Sequence, residues 1–100
     1  MANRSDRMRI ARTGATGGQS VSVTTSSAAT GADIGSDECL VYSTVECFAI
    51  AGPATPTATV AQGTPIPANV LIRIEGLRPT DRIAFIAASG SGVAYVRPGA

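Results

Sequence analysis

Cys39-Leu40-Val41-Tyr42-Ser43-Thr44-Val45-Glu46-Cys47-Phe48-Ala49-Ile50-Ala51 is the stretch that decides the fold. Its residues are mostly β-branched, aromatic or small, and no apolar repeat at three- and four-residue spacing runs through it. It reads as β structure, either one long bent strand or two strands broken near Ser43-Thr44. On a single strand Cys39 and Cys47 would share a face but lie too far apart to form a disulfide. Gly52-Pro53-Ala54-Thr55-Pro56 ends the stretch, because proline has no N–H to give to a central ladder.

Downstream the same grammar repeats. Thr57 to Val60 is long enough to pair briefly, and Gly63-Thr64-Pro65-Ile66-Pro67 makes another extended break. In Asn69 to Glu75, Val70, Ile72 and Ile74 alternate with Leu71, Arg73 and Glu75. Gly76 to Thr80 turns the chain into a strand over Arg82 to Ala87, with Asp81 placed to accept backbone N–H bonds in the turn and Arg82 solvated or at an interface. Ala88-Ser89-Gly90-Ser91-Gly92 reads as a glycine-rich hairpin loop, from which Val93 to Arg97 pairs back. The four aromatics, Tyr42, Phe48, Phe85 and Tyr95, all fall in β stretches and are expected in the core.

Upstream, Gln19 to Thr25 alternates with Val21 and Val23 on one face, giving a short strand suited to an edge. Residues 26–38 are small and polar and read as a loop, with at most a helical turn near Asp33 to Glu38. Short strands about ten residues apart, punctuated by glycine and proline, predict an all-β fold: a small antiparallel β-sandwich or jelly-roll-like barrel.

Residues 1–18 stand apart as an extended N-terminal arm, leaving 19–100 as a single domain. Arg4, Arg7, Arg9 and Arg12 face only Asp6 in the arm, a balance of +3, while four arginines against six carboxylates give the body −2. A basic arm therefore leads a mildly acidic body. The arm has three readings: it crosses a neighbouring subunit and orders on binding, it contacts nucleic-acid phosphates, or it is a solvated terminus. No aromatic is interleaved with its arginines, which disfavours stacking on single-stranded nucleic acid. The first apolar stretch, Met8 to Ala11, is interrupted by Arg9, unlike a secretory leader. No run approaches the roughly 18 apolar residues of a membrane span. Cys39 and Cys47 are expected as free, buried thiols.

The residue inventory bears on chemistry as well. The sequence contains no His and no Lys. That removes a Ser-His-Asp triad, imidazole metal ligands, a Schiff-base lysine and a phosphate-binding loop lysine. Two lone cysteines do not make a zinc site, and Asp37-Glu38 would point to opposite faces of a strand. We therefore expect a structural or binding protein, not an enzyme, with no cofactor and no bound metal. With few large aromatic anchors, a chain of 100 residues gains much from association, so self-association is expected.

Five segments of the second half carry a family resemblance. They are Glu46-Cys47-Phe48-Ala49-Ile50-Ala51-Gly52, Pro56-Thr57-Ala58-Thr59, Pro65-Ile66-Pro67-Ala68-Asn69, Asp81-Arg82-Ile83-Ala84-Phe85-Ile86, and Gly92-Val93-Ala94-Tyr95-Val96-Arg97-Pro98-Gly99-Ala100. In this order they resemble the turn-plus-strand pattern of small β-sandwich virion proteins of tailed bacteriophages, over residues 46–100. The third departs from that pattern in having Ile66 where Leu or Phe is expected. The resemblance implies a virion structural protein assembled in a bacterial cytoplasm, most naturally a capsid decoration or cement protein bound to the major capsid protein. A head–tail connector or tail component is the alternative within the class, and a carbohydrate- or host-surface-binding module the alternative outside it. Arg4, Arg7, Arg9 and Arg12 of the arm and Arg73 on the sheet are the expected partner-binding residues.

Overall fold

The computed structural model describes residues 18–98, and over them the chain forms eight strands. They are β1 (Gln19–Val23), β2 (Ala28–Ala29), β3 (Glu38–Ser43), β4 (Cys47–Pro53), β5 (Thr64–Ile66), β6 (Leu71–Glu75), β7 (Asp81–Ile86) and β8 (Gly92–Pro98). The arm arginines at 4, 7, 9 and 12 lie outside the described residues.

The strands form two four-stranded antiparallel sheets packed as a sandwich. The front sheet has the order β1-β8-β3-β6 and the back sheet β2-β7-β4-β5. Every strand pairs with its mirror in the chain: β1 with β8, β2 with β7, β3 with β6 and β4 with β5. Two further pairings, β3 with β8 and β4 with β7, stitch these nested pairs into sheets. This is the jelly-roll arrangement.

Alternation along each strand selects the core. Val21 and Val23 of β1, Cys39 and Val41 of β3, and Ala94 and Val96 of β8 point inward from the front sheet; Cys47 and Ala49 of β4, Ile66 of β5, and Ile83 and Phe85 of β7 meet them from the back. The inward-facing Ser43 is fully buried, and its hydroxyl donates to Val45 O at 2.6 Å. Burial pushes the Cys39 thiol up to about 11, with the Glu38 carboxylate adding to the effect. Cys47 moves the same way, mainly by burial; its contact with Ser43 opposes the shift and Glu46 reinforces it. Both cysteines are free and neutral at ordinary pH.

Of the two readings of the 39–51 stretch, the structure takes two strands, and the break after Ser43 carries the chain from the front sheet to the back. Several other expectations need correction. Ala88 to Gly92 is not a hairpin loop: β7 lies in the back sheet and β8 in the front, so the loop is an arch and β8 pairs with β1 and β3 instead. Gly92 is required at the landing point, since a Cβ there would come within 2.6 Å of Thr44 Oγ1 and 2.7 Å of Val45 Cγ1. Residues 26–38 contain the short strand β2 and the first residue of β3, and no helical turn. Val70 precedes β6 and is exposed. Thr57 to Val60 forms no strand; it belongs to a loop that crosses the outer side of the back sheet.

Asp81 does what its position implies, its carboxylate accepting the Arg78 N–H at 3.0 Å. Arg82 is paired within the chain, with Asp33 at 3.1 Å.

Candidate functional site

The register of the two sheets decides what each presents to its surroundings. On the back sheet Phe48 pairs with Ile86 and Pro65, and Ile50 pairs with Ala84. These residues alternate with the core residues and so face outward. Water does not reach all of them, because residues 54–63 fold across this side as a strap. The strap turns at Ala54, whose φ of 59° lies in the left-handed region. Ala58 is buried and donates its N–H to Ser27 Oγ at 2.8 Å, beside the far edge strand β2. Gly63 closes the strap, its N–H bonded to Thr59 O at 2.8 Å, and a Cβ on Gly63 would lie 2.6 Å from the Phe48 Cβ. Ala84 faces outward by register yet is completely buried, which accounts for three consecutive buried residues, Ile83, Ala84 and Phe85.

Among the described residues the front sheet has no such cover. Ser20, Tyr95, Tyr42 and Leu71 form one cross-strand row over its outer face. The neighbouring row is Arg97, Leu40 and Arg73, followed by Glu38 opposite Glu75. Tyr95 and Leu71 are each 40% exposed, and Tyr42 and Leu40 are half-buried. No backbone hydrogen bond among the described residues ties a loop across this face. The Tyr42 hydroxyl donates to Asn69 Oδ1 at 3.1 Å, which fixes the ring. Asn69 itself sits at φ 60°, a conformation asparagine tolerates better than most residues.

The charges on this face are arranged around the apolar row. Glu38 and Glu75 are directly opposed, an unfavourable pairing by itself, and Arg73 Nη1 lies 3.4 Å from both carboxylates. Arg97 reaches over Gly18, donates to Gln19 O at 3.2 Å and sits 6.0 Å from the Tyr95 ring centroid. Such exposed ion pairs contribute little to stability, at most about 1 kcal/mol each. Their positions match an interface better: aromatic residues and arginine are enriched where protein surfaces meet.

Arg73, the one expected binding residue within the described region, thus lies on this face, held between two carboxylates. The expectation that all four aromatics pack in the core holds for Phe85 alone. Tyr42, Tyr95 and Phe48 point outward because their neighbours take the inward positions: Val41 and Ser43, Ala94 and Val96, Cys47 and Ala49. Tyr95, Tyr42, Leu71, Leu40 and Arg97 were not singled out from the sequence. The flanking of Tyr95 by Ala94 and Val96 is the signal that carries its orientation.

A second feature lies at the side of the sandwich. Between β5 and β6 the sheets part to leave an apolar cleft of about 310 Å³, walled by Ile72 and Ile74 on one side and by Ala49, Ala51, Ile66 and Ile83 on the other. Among the described residues no group of three or more His, Cys, Asp or Glu side chains is placed to hold a metal ion.

No protein-family model matches the chain, and neither the curated proteins nor the solved structures include a match to it.

Proposed function

We propose that the protein is a structural component of a tailed-bacteriophage virion, a decoration or cement protein that self-associates and seats the outer face of its front sheet on the major capsid shell. It works by binding and not by catalysis. The observation that carries this reading is the inequality of the two outer faces. The chain spends residues 54–63 covering one of them, and leaves on the other a row of Tyr95, Tyr42 and Leu71 bordered by Arg73 and Arg97. A central apolar and aromatic strip with a charged rim is the composition that binds another protein. The resemblance of residues 46–100 to phage virion proteins supplies the identity of the partner.

The test is mass spectrometry of purified particles of the phage whose genome encodes the chain. The protein should be present at hundreds of copies, as a shell-bound protein implies; about a dozen copies would indicate a connector instead, and absence would end the virion reading. One observation favours a second reading: Tyr42 and Tyr95 stand side by side on an open sheet, a platform on which a sugar ring could stack. Binding to a glycan array that is lost in Tyr95→Ala, without binding to the shell, would select that reading.

A further inference from the structure

Four strands lie at sheet edges, and three of them are blunted. β2 is two residues long. β5 is three residues long with Pro65 at its centre, where no N–H is offered to an incoming strand. β1 is met by a loop: Gln19 Nε2 donates to Ala32 O and Gln19 Oε1 accepts from Ala32 N–H, both at 3.0 Å. The fourth, β6, has five residues, Leu71-Ile72-Arg73-Ile74-Glu75, and among the described residues is paired only on its β3 side. The apolar cleft opens directly beside it. Its volume of about 310 Å³ is at the lower end of the roughly 300–1,000 Å³ typical of ligand sites. An open strand edge next to an apolar slot suits an extended peptide: the edge supplies ladder bonds and the slot takes every second side chain.

The chain contains a segment of that pattern. Residues 7–12 read Arg7-Met8-Arg9-Ile10-Ala11-Arg12, with Met8 and Ile10 alternating with Arg7 and Arg9. If Met8 and Ile10 enter the cleft, Arg7 and Arg9 project on the outer side of the front sheet, the side on which Glu38 and Glu75 lie. The Glu75 side chain is 65% exposed and shares its one arginine partner with Glu38. The pair thus has negative charge to spare for a basic segment.

We propose that residues 7–12 of a second copy of this chain add to β6 as a further strand, with Met8 and Ile10 in the cleft and Arg7 and Arg9 over Glu38 and Glu75. This rests on the self-association within the proposed function and is independent of shell binding. The chain's own arm is poorly placed for the site. It leaves the sandwich at β1, the opposite edge of the front sheet from β6. The far side of β6 is about four strand spacings away, ~19 Å, plus the climb over the side chains in between. Residues 10 to 18 span at most about 29 Å when fully extended, so the route leaves little slack. Gly14, Gly17 and Gly18 lie on that tether, and glycine loses the most freedom on being held extended. A neighbouring copy carries no such constraint, and mutual exchange of arms closes a dimer or a ring.

The experiment uses full-length protein. Light scattering after size exclusion should give an oligomer. The Met8→Asp/Ile10→Asp variant should run as a monomer with an unchanged circular dichroism spectrum, its association weakened by about 30-fold or more, as expected for loss of a central anchor. Mixing an Ile10→Cys chain with a Thr64→Cys chain under oxidising conditions should give a disulfide-linked pair that neither variant forms alone. A monomeric wild-type protein, or an oligomer that survives Met8→Asp/Ile10→Asp, overturns the proposal. So does a chain carrying both Ile10→Cys and Thr64→Cys that closes on itself and runs as a monomer on a non-reducing gel. Absence of the protein from virions would sink the shell-binding function and leave arm exchange standing, so the two failures are distinguishable.

Discussion

On the back sheet Phe48, Ile50, Ala84 and Ile86 point away from the core and the chain's own residues 54–63 lie over them; on the front sheet Leu40, Tyr42, Leu71 and Tyr95 point away from the core and stay accessible. Both outer faces are apolar at their centres. The difference is that one has been internalised by a loop and the other is uncovered among the described residues. An exposed apolar strip costs solubility, and large ones usually mark interaction sites. The strap shows that the fold has a way to hide such a strip, which makes the uncovered one informative.

The strongest way to break this comparison is to place the same charge on both faces. Ala84→Asp puts an unpaired carboxylate beneath the strap and should cost about 3–5 kcal/mol, enough to unfold a small domain. Leu71→Asp on the front face should change stability by no more than about 1 kcal/mol. Urea titrations of the two variants check the pair, and equal losses would mean that the front face is as buried as the back. Next in size is Gly63→Ala, whose new Cβ collides with Phe48 and with Thr59 O at 2.8 Å. It should cost about 1–3 kcal/mol and lift the strap, seen as faster hydrogen exchange at Ala58 and Gly63. Ser27→Ala removes the anchor for the Ala58 N–H and should cost about 1 kcal/mol by thermal melting. Tyr95→Ala sharpens the other side: stability should move by less than about 1 kcal/mol, and on the proposed function co-sedimentation with capsids should weaken by about 30-fold. The smallest effect is expected at Ala54→Gly, which relieves a left-handed alanine at the start of the strap. It should stabilise by a few tenths of a kcal/mol, since the relieved strain of about 1–2 kcal/mol is largely offset by the backbone entropy of glycine.

The fold class was legible because the strands announce themselves through Val, Ile and small residues between glycine and proline breaks. Gly63-Thr64-Pro65-Ile66-Pro67 reads as a break, yet Thr64–Ile66 forms the edge strand β5, the position in a sheet that tolerates Pro65. Topology was less legible. Ala88-Ser89-Gly90-Ser91-Gly92 has the composition of a hairpin loop, and the same composition serves an arch between sheets; the partners of β8 are residues 19–23 and 39–43, far away in the chain. The outer faces were hidden for a related reason. In 39–43 both alternating sets, Cys39-Val41-Ser43 and Leu40-Tyr42, are predominantly apolar or small, so alternation alone does not name the inner one. The strap was missed because Thr57 to Val60 looks as extended as a strand, and what holds it is a bond to Ser27, not a ladder. The outward position of Arg73 follows from alternation in 71–75, but its setting between Glu38 and Glu75 depends on β3 and β6 pairing in register.

The nested pairing has a consequence for synthesis. β1 finds its hydrogen-bonding partner only in β8, with Gln19 opposite Val96, and β2 finds its partner only in β7. The first strands to leave the ribosome are therefore the ones that wait for the last. Until residues near 96 have emerged, the front sheet has no β8 to join β1 to β3, and the innermost pair, β4 with β5, is the first mirror pair whose two strands are both available. Folding of the sandwich should wait for β8 and be slow for its size, as its distant pairings imply. During that interval a chaperone, or a neighbouring copy, meets an incomplete sandwich with its apolar strands unpaired.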